Sequence, residues 1–523
     1  MTGSHSRTTN TIYNFASSIG GLLINVLLQF IVRTVFISTL GKSYLGIEGL
    51  FSNILSMLSL AELGMGSAIL YKLYAPLAGN DISRIRVLMR FYKNAYHVIG
   101  CVVIVCGLCL IPFLPSLISD HDKLDALGLN TVLIFCLYLA RSASSYFFLA
   151  YRSSVIKADQ REYIVNLISY IFTISAAVLE IIFLLIFKSF EIYVIAGIFT
   201  IAGQNICCGL VAKRLYPAAF AATDERLQRG EIKGIFKDCG ALFLNRMNSV
   251  VMKATDNIIL SAFMGLDTVA LYSNYYIFYT TIFSLFGKVY TAVSHSLGNL
   301  HVTDNSEHEY RVYETVMLIS AMFGGTAFAG IFVCADGFVS AWLGTQWVIA
   351  QPFALLMGLE LYTMAFRSAL SHYRSSMGLF RQSWFRPLVG MAVNIILSLI
   401  LVNVWGICGV LVGTLAADWL AFMWIDPFIV HKYGFGGRYR IGRYYLKFIK
   451  NFAICICMAA ADKLLCSYLL AGDGWLFVLL HAFICLITVP GILALTNIKS
   501  TEFKYLKEMT VNIIKRRSVN KKN

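Results

Sequence analysis

Charge is scarce in this sequence. Only 14% of the 523 residues are Asp, Glu, Lys or Arg, while 58% are hydrophobic and the mean hydropathy is +0.70. A soluble chain of this length would divide into several domains with polar surfaces, which this composition does not supply. Apolar runs of twenty or more residues recur along the chain, and such runs predict transmembrane helices. We therefore interpret the chain as an integral membrane protein.

The sequence also lacks the signatures of metal and nucleotide sites. Its 13 cysteines lie mainly inside apolar runs, where cysteine behaves as a small hydrophobic residue. No CxxC pair with matching histidines occurs, and neither a Walker loop nor a dinucleotide fingerprint is present. We predict no metal site and no cofactor.

Fourteen apolar segments are interpreted as membrane spans. Two of them, 240–264 and 268–294, carry internal charges and would be missed by strict hydropathy. The predicted fold is an all-α polytopic membrane protein with about fourteen transmembrane helices. The segments are 11–37, 44–70, 92–118, 126–150, 163–187, 190–212, 240–264, 268–294, 312–340, 350–372, 385–404, 406–430, 446–470 and 474–497.

The distribution of Lys and Arg predicts the orientation. Loops after odd-numbered spans contain little more than Lys42, Lys123 and Lys188, whereas loops after even-numbered spans are strongly basic. The positive-inside bias places the even-numbered loops and both termini in the cytoplasm. The formal charge of +15 is thereby explained by topology, and we predict no nucleic-acid partner.

Two pairs of similar segments indicate an internal repeat. YRSSVIKADQ (Tyr151–Gln160) and YRSSMGLFRQ (Tyr373–Gln382) lie 222 positions apart. LGKSYLGIEGLFSN (Leu40–Asn53) and MGLDTVALYSNYYI (Met264–Ile277) lie 224 positions apart, and each supplies a glycine for a turn between two spans. One chance tetrapeptide match is expected in a chain of this length, so the second pair carries the argument.

Polar residues of spans 1 and 7 share the second offset. Asn25, Gln29 and Arg33 follow one another at steps of four, which puts them on one face of a helix. An offset of 224 aligns them with Ser249, Lys253 and Asn257 of span 7. We therefore predict two pseudo-symmetric six-helix lobes followed by two C-terminal helices.

The repeat predicts four regions. Because six spans are an even number, both lobes insert in the same direction, related by a pseudo-twofold axis along the membrane normal with a substrate path between them. The regions are an N-lobe at 1–212, a basic cytoplasmic linker at 213–239, a C-lobe at 240–432, and spans 13–14 with a basic tail at 433–523.

Charged and amide side chains inside spans are the candidate site residues. A charge near mid-membrane is costly unless it faces a wet cavity or a partner, and the surplus of cations predicts an anionic substrate, with phosphate the natural candidate. For the amides, hydrogen bonding between helices is an equal alternative. The candidate substrate ligands are Arg33, Arg246, Lys253, Lys288, Arg141, Gln29 and Asn25.

Acidic residues and the YRSS arginines form two further candidate groups. Asp256, Glu48 and Glu62 are candidates for ion coupling or lobe closure, although Asp256 could equally form a structural ion pair with Lys253. Arg152 and Arg374 are candidates for a phosphate contact at the cytoplasmic mouth, with membrane orientation as the alternative role.

Two stretches resemble a known family. RTVFISTLGKSYLGIEGLFSNILSMLSLAELGMGSAILYKLYAPLA (Arg33–Ala78) and TDNIILSAFMGLDTVALYSNYYIF (Thr255–Phe278) are similar to bacterial polysaccharide transporters. These are the O-antigen and capsule flippases of the multidrug/oligosaccharidyl-lipid/polysaccharide exporter superfamily. The resemblance implies a flippase of the bacterial cytoplasmic membrane that moves undecaprenyl-diphosphate-linked oligosaccharide by alternating access around a cationic cavity. The implied partners are that lipid-linked oligosaccharide with its anionic diphosphate, membrane lipids, and a polysaccharide polymerase with other assembly proteins.

Three alternatives remain open at the level of the sequence. A cation-coupled drug exporter or a lipid II flippase of the same superfamily would share the architecture. A membrane enzyme of polysaccharide assembly generally carries a large periplasmic loop, whereas the outer loops predicted here are short. We therefore predict a transporter rather than an enzyme.

Overall fold

Helices account for almost all of the chain. A computed structural model describes residues 7–59, 65–118, 128–302, 306–349, 352–377, 379, 381–468, 470, 472 and 474–508, and this part of the chain contains no strands. The predicted all-α fold is confirmed. The helices are α1 (Arg7–Leu40), α2 (Lys42–Leu58), α3 (Met65–Ala78), α4 (Ile82–Leu110), α5 (Leu114–Leu117), α6 (Thr131–Phe147), α7 (Ser153–Ala158), α8 (Glu162–Phe187), α9 (Phe190–Leu215), α10 (Arg229–Met264), α11 (Leu266–Val302), α12 (Ser306–Leu343), α13 (Phe353–Ser376), α14 (Arg386–Trp405), α15 (Ile407–Ala417), α16 (Ile425–Ile429), α17 (Ile441–Tyr468) and α18 (Trp475–Thr496).

Each of the fourteen predicted segments coincides with one helix or with a broken run of helices. The second corresponds to α2 and α3, and the twelfth to α15 and α16 with π-helical turns at 418–422 and 430–434. By length and composition, nine helices of the described residues could cross a membrane, or ten if the bent pair Thr131–Phe147 and Ala150–Ala158 counts as one. Helices α10 and α11 fall outside that set, as their internal charges lead us to expect.

The chain divides into two compact units, and the first is Met1–Ala270. Within it, α1 packs against α8, α9 packs against α6 and α8, and α2 packs against α10. Three of its helices begin at a side chain that accepts a backbone N–H of the first turn, which satisfies a donor that the helix leaves unpaired. These capping residues are Asp81, Asn130 and Ser189.

The second unit is Leu271–Asn523. Its centre is α12, which packs against α13, α17 and α18. Helix α11 joins it through a hydrogen bond from the Tyr275 hydroxyl to the Asp336 carboxylate (2.8 Å) and through the edge-to-face rings of Phe278 and Phe338. Because α12 packs against both α17 and α18, these last two helices are integral to the unit. The lobe and linker boundaries set out above stay a prediction.

The two turn segments of the proposed repeat have the same local structure. Gly41 (φ 94°, ψ −171°) and Gly265 (φ 84°, ψ 171°) lie 224 positions apart and share a conformation that only glycine adopts readily. The segments also touch, because the Ser43 hydroxyl donates to the Asp267 carboxylate at 3.2 Å. Those two residues are again 224 positions apart.

Both YRSS segments also share a hydrogen-bonding pattern. Ser154 donates its hydroxyl to the Tyr151 carbonyl (2.6 Å), and Ser376 donates to the Tyr373 carbonyl (2.8 Å). The two tyrosines are buried. The repeated tetrapeptide therefore makes the same side-chain hydrogen bond in both places, although the first copy begins in a 3-10 turn before α7 and the second forms the last turn of α13.

Candidate functional site

A cavity of about 470 Å³ opens among five helices of the first unit. Helices α1, α2, α6, α8 and α9 each contribute polar side chains to an otherwise apolar bundle. This volume lies within the usual range for small-molecule sites, about 300–1,000 Å³. We call it the charged cavity. Its charged and amide lining residues are Asn25, Gln29, Arg33, Glu48, Arg141, Glu180 and Gln204.

The polar face of α1 forms one wall. Asn25, Gln29 and Arg33 recur every four residues, so a single helical face carries all three into the lining. Asn25 and Gln29 are exposed and Arg33 is half-buried. Arg33 interacts electrostatically with Glu48 of α2 and Tyr193 of α9.

Arg141 enters from α6 and is accommodated by a glycine on α9. A Cβ atom built on Gly197 would lie 2.8 Å from both Cζ and Nε of Arg141, so only glycine leaves room for the guanidinium in this position. Glu180 of α8 and Glu48 are both close enough to interact electrostatically with Arg141. The guanidinium, which carries five N–H donors, therefore lies near two carboxylates.

The two glutamates balance the two arginines. Glu48 accepts a hydrogen bond from the Tyr193 hydroxyl at 3.0 Å, and Glu180 is buried on α8. The described lining of the charged cavity therefore carries no net formal charge. A buried carboxylate that is not fully matched can take up a proton, and a guanidinium fork can bind a phosphate through two parallel hydrogen bonds.

Several predicted residues do not belong to the described lining. Asp256 is buried on α10 of the first unit, and Lys288 is half-buried on α11 of the second. Arg246 and Lys253 lie on α10, but their side chains fall outside the described residues, as does the whole of Glu62.

The YRSS arginines lie in different surroundings. Arg152 is half-buried at the edge of α7, and its guanidinium lies 5.0 Å from the ring centre of Phe220. Arg374 is 2% exposed within the second unit and donates to the Ser371 hydroxyl at 3.4 Å. It interacts there with the buried ion pair between Arg386 and Asp426.

Sequence reasoning missed several lining residues, among them Glu180, Tyr193 and Gln204. A signal for Glu180 was present, because it is the only charged residue within the fifth predicted span, 163–187. An acid inside an apolar run is a functional candidate by default. Tyr193 and Gln204 carry no comparable signal, since only the packing of α9 directs them inward. In the part of the chain that the structure describes, no group of three His, Cys, Asp or Glu side chains could hold a metal ion.

Comparison with sequence families gives a match to one model. Residues 129–352 match the family described as "Polysaccharide biosynthesis protein". A comparison with curated protein sequences finds no significant match. This match agrees with the resemblance to polysaccharide transporters that the sequence carries.

Solved structures of transporters share this fold. The lipid II flippase MurJ, in an inward closed conformation, superimposes with a TM-score of 0.66 at 14% identity, covering 94% of this chain and 99% of that one. The MATE multidrug transporter DinF-BH gives a TM-score of 0.59 at 16% identity over 80% of this chain and 94% of that one. A MATE transporter from Vibrio cholerae gives 0.53 at 15% identity over 82% and 99%.

Proposed function

We propose that this chain, which has the fold of lipid II and multidrug transporters, is a flippase for undecaprenyl-diphosphate-linked oligosaccharide in surface polysaccharide biosynthesis. The charged cavity carries the proposal, because it places two guanidinium groups and three amide side chains inside a membrane protein. The family match over residues 129–352 supports a role in polysaccharide synthesis, and the fold supports transport by alternating access.

In this proposal each part of the lipid-linked substrate has a matching group. Arg33 and Arg141 bind the diphosphate, since guanidinium groups recognise phosphate oxygens in pairs. Asn25, Gln29 and Gln204 donate to and accept from sugar hydroxyls. The lipid tail stays in the bilayer, because its transfer to water would cost free energy.

The charge balance assigns roles to the remaining candidates. Because two glutamates offset the two arginines, a diphosphate needs further positive charge from elsewhere or a proton on a carboxylate. We assign the supply of this further positive charge to Arg246, Lys253 and Lys288. We assign Glu48, Asp256 and Glu62 to ion coupling or lobe closure. Because Glu180 also lines the charged cavity, we add it to that group.

Reconstitution tests the proposal directly. Purified protein in liposomes should transfer a fluorescent undecaprenyl-diphosphate oligosaccharide between leaflets, measured by protection of the fluorophore from an impermeant quencher. Arg141→Gln and Arg33→Gln should each slow transfer roughly tenfold or more, because each removes charge-assisted hydrogen bonds to the diphosphate. Arg214→Gln, at the exposed end of α9, is the matched control and should transfer normally.

The same assay has a clear negative result. Wild-type transfer by both cavity variants, with normal amounts of folded protein, would refute a role for the charged cavity in binding. No transfer of any lipid-linked oligosaccharide by the wild-type protein would refute the flippase itself.

A second candidate function rests on the two glutamates. Acidic groups in a transporter cavity attract cationic drugs, and the multidrug transporters share this fold. Liposomes loaded with a cationic dye decide between the two functions. Dye export that is lost in Glu180→Gln, without oligosaccharide transfer, would establish a drug exporter; transfer of lipid II alone would establish the lipid II flippase.

The location follows from the same proposal. The chain is a multi-pass membrane protein, and we propose that it lies in the bacterial cytoplasmic membrane with both termini in the cytoplasm. Polysaccharide polymerase and other assembly proteins are the proposed neighbours. A reporter enzyme that is active only in the periplasm, fused after the last residue, should remain inactive.

A further inference from the structure

The first unit contains a second cavity that is separate from the charged cavity. It has a volume of about 320 Å³ and lies between α4, the first YRSS turn and the segment 219–223. It shares no lining residue with the charged cavity. We call it the basic cavity. The positive-inside bias assigns its side of the membrane to the cytoplasm, because the loops that form it are the basic ones.

Four cations line the basic cavity. Arg86, Arg90 and Lys93 follow at steps of four and three, so they share one face of α4, and Arg152 faces them from the YRSS turn. No Asp or Glu occurs among the described lining residues. Four positive groups around a small volume raise the local electrostatic potential and attract anions.

Two nearby acids, Glu225 and Glu231, are engaged by other partners. Glu225 accepts a hydrogen bond from the Ser83 hydroxyl at 3.1 Å. Glu231 forms an ion pair with Arg84 at 2.5 Å. The hydrogen bond from the Arg84 guanidinium holds the pKa of Glu231 below its usual range, so this carboxylate stays ionised and paired. Neither contact uses a cation of the basic cavity.

Three of the cations are held in position by the protein. Arg86 donates its Nε–H to the Ala218 carbonyl at 2.7 Å, and Arg90 donates from Nη1 to the Thr223 carbonyl. Arg152 stacks over the Phe220 ring and donates from Nη1 to the Gly209 carbonyl at 3.4 Å. A guanidinium has five N–H donors, and each of these contacts leaves some of them for a ligand. Donors fixed before binding lose less conformational entropy when an anion enters.

We propose that the basic cavity binds a phosphate-bearing group, either a soluble phosphate compound or the headgroup of an anionic lipid. Paired guanidinium groups match phosphate oxygens in geometry as well as in charge. The volume is at the lower end for ligand sites, which suits a phosphate or diphosphate with a small substituent and not a whole oligosaccharide. This site stands independently of the flippase proposal, because it lies on other residues and requires no transport.

Binding experiments with two arms test the site and distinguish its ligand. In the first, the full-length protein in nanodiscs of phosphatidylcholine is titrated with inorganic pyrophosphate by calorimetry. In the second, nanodiscs containing phosphatidylglycerol are analysed by native mass spectrometry for lipid retained on the protein. Lys93→Gln should weaken binding roughly tenfold, because a charged hydrogen-bond donor is lost. Arg86→Lys keeps the positive charge but removes the planar guanidinium that binds phosphate through paired hydrogen bonds. This variant should therefore also weaken binding.

Lys213→Gln is the matched control, because Lys213 is exposed near the end of α9 and does not line the basic cavity. Lys93 is exposed as well, so its replacement should leave the fold intact, which an unchanged thermal midpoint verifies. Binding in the first arm alone supports a soluble ligand, and in the second arm alone a lipid headgroup. Absence of binding in both arms, or equal binding by Lys93→Gln and Lys213→Gln, overturns the proposal.

Discussion

A single glycine decides where the guanidinium of Arg141 lies. Gly197 on α9 faces this guanidinium. A Cβ atom on Gly197 would lie 2.8 Å from Cζ and Nε of Arg141, which are at the far end of a flexible side chain. An added methyl group would therefore move the guanidinium at little cost to the fold. Position matters for phosphate recognition, because a displaced guanidinium fork loses paired hydrogen bonds.

Gly197→Ala should reduce substrate transfer while leaving stability nearly unchanged. The expected decrease in rate is roughly tenfold, since the displaced Arg141 loses at least one charge-assisted hydrogen bond. Gly203→Ala is the control: the new methyl group on the same helix would meet the Phe172 ring and not a charged group. Leaflet transfer and thermal unfolding measure the two effects. A normal rate for Gly197→Ala would show that Arg141 does not need this position.

At the scale of the element, two turns depend on a backbone conformation. Gly41 between α1 and α2 and Gly265 between α10 and α11 have almost identical dihedral angles. Helix α2 also comes very close to the second turn, because a Cβ on Gly46 would lie 2.2 Å from the Leu266 carbonyl oxygen. Helix spacing at this point is set by main-chain atoms and not by flexible side chains.

Gly265→Ala and Gly41→Ala should each destabilise the protein by about 1–3 kcal/mol, because side chains are strained in this region of φ and ψ. Equal losses are expected if the two turns are copies of one structure. Gly234→Ala, within α10 and without close neighbours, should have no such cost. Thermal or denaturant unfolding in detergent measures the difference. A loss in only one of the two turns would contradict their equivalence.

At the scale of the whole molecule, the last two predicted spans complete the second unit. Helix α12 approaches them closely, because a Cβ on Gly325 would lie 2.5 Å from Cys455 Sγ of α17 and 3.1 Å from Val489 of α18. At one end of α17, Lys447 pairs with Glu314 of α12 at 2.7 Å and with Glu502 at 3.1 Å. Both helices cover a surface of α12 that would otherwise lack a packing partner.

A chain that ends before Ile441 should therefore accumulate poorly in the membrane. Loss of α17 and α18 removes the close packing around Gly325 and leaves Glu314 without its partner Lys447. Deletion of residues 509–523 is the control and should leave accumulation unchanged. Immunoblots of membrane fractions and size-exclusion profiles measure the outcome. Normal accumulation and a sharp elution peak for the shorter chain would assign these helices a role other than stability.

The sequence by itself determined the all-helical nature of the chain and the approximate bounds of its apolar helices. Bilayer thickness sets the length of a membrane-spanning apolar run, and the length and hydropathy of such a run can be read from the local sequence. Helical periodicity likewise placed Asn25, Gln29 and Arg33 on one face. The turn glycines and the polar stripes predict the repeat, and the two-lobe organisation stays a prediction.

Only the tertiary structure decided which side chains share a cavity. Glu180 and Tyr193 reach Arg33 and Arg141 because α8 and α9 pack against their neighbours in one particular rotation, which no local pattern specifies. The set of side chains that line the basic cavity was likewise decided only by the tertiary structure. The spacing of Arg86, Arg90 and Lys93 is visible in the sequence, but the carbonyl groups that hold the arginines come from a segment more than a hundred residues away. Contacts between distant parts of a chain depend on the packing of the whole, so the chemistry of both cavities emerges only from the folded protein.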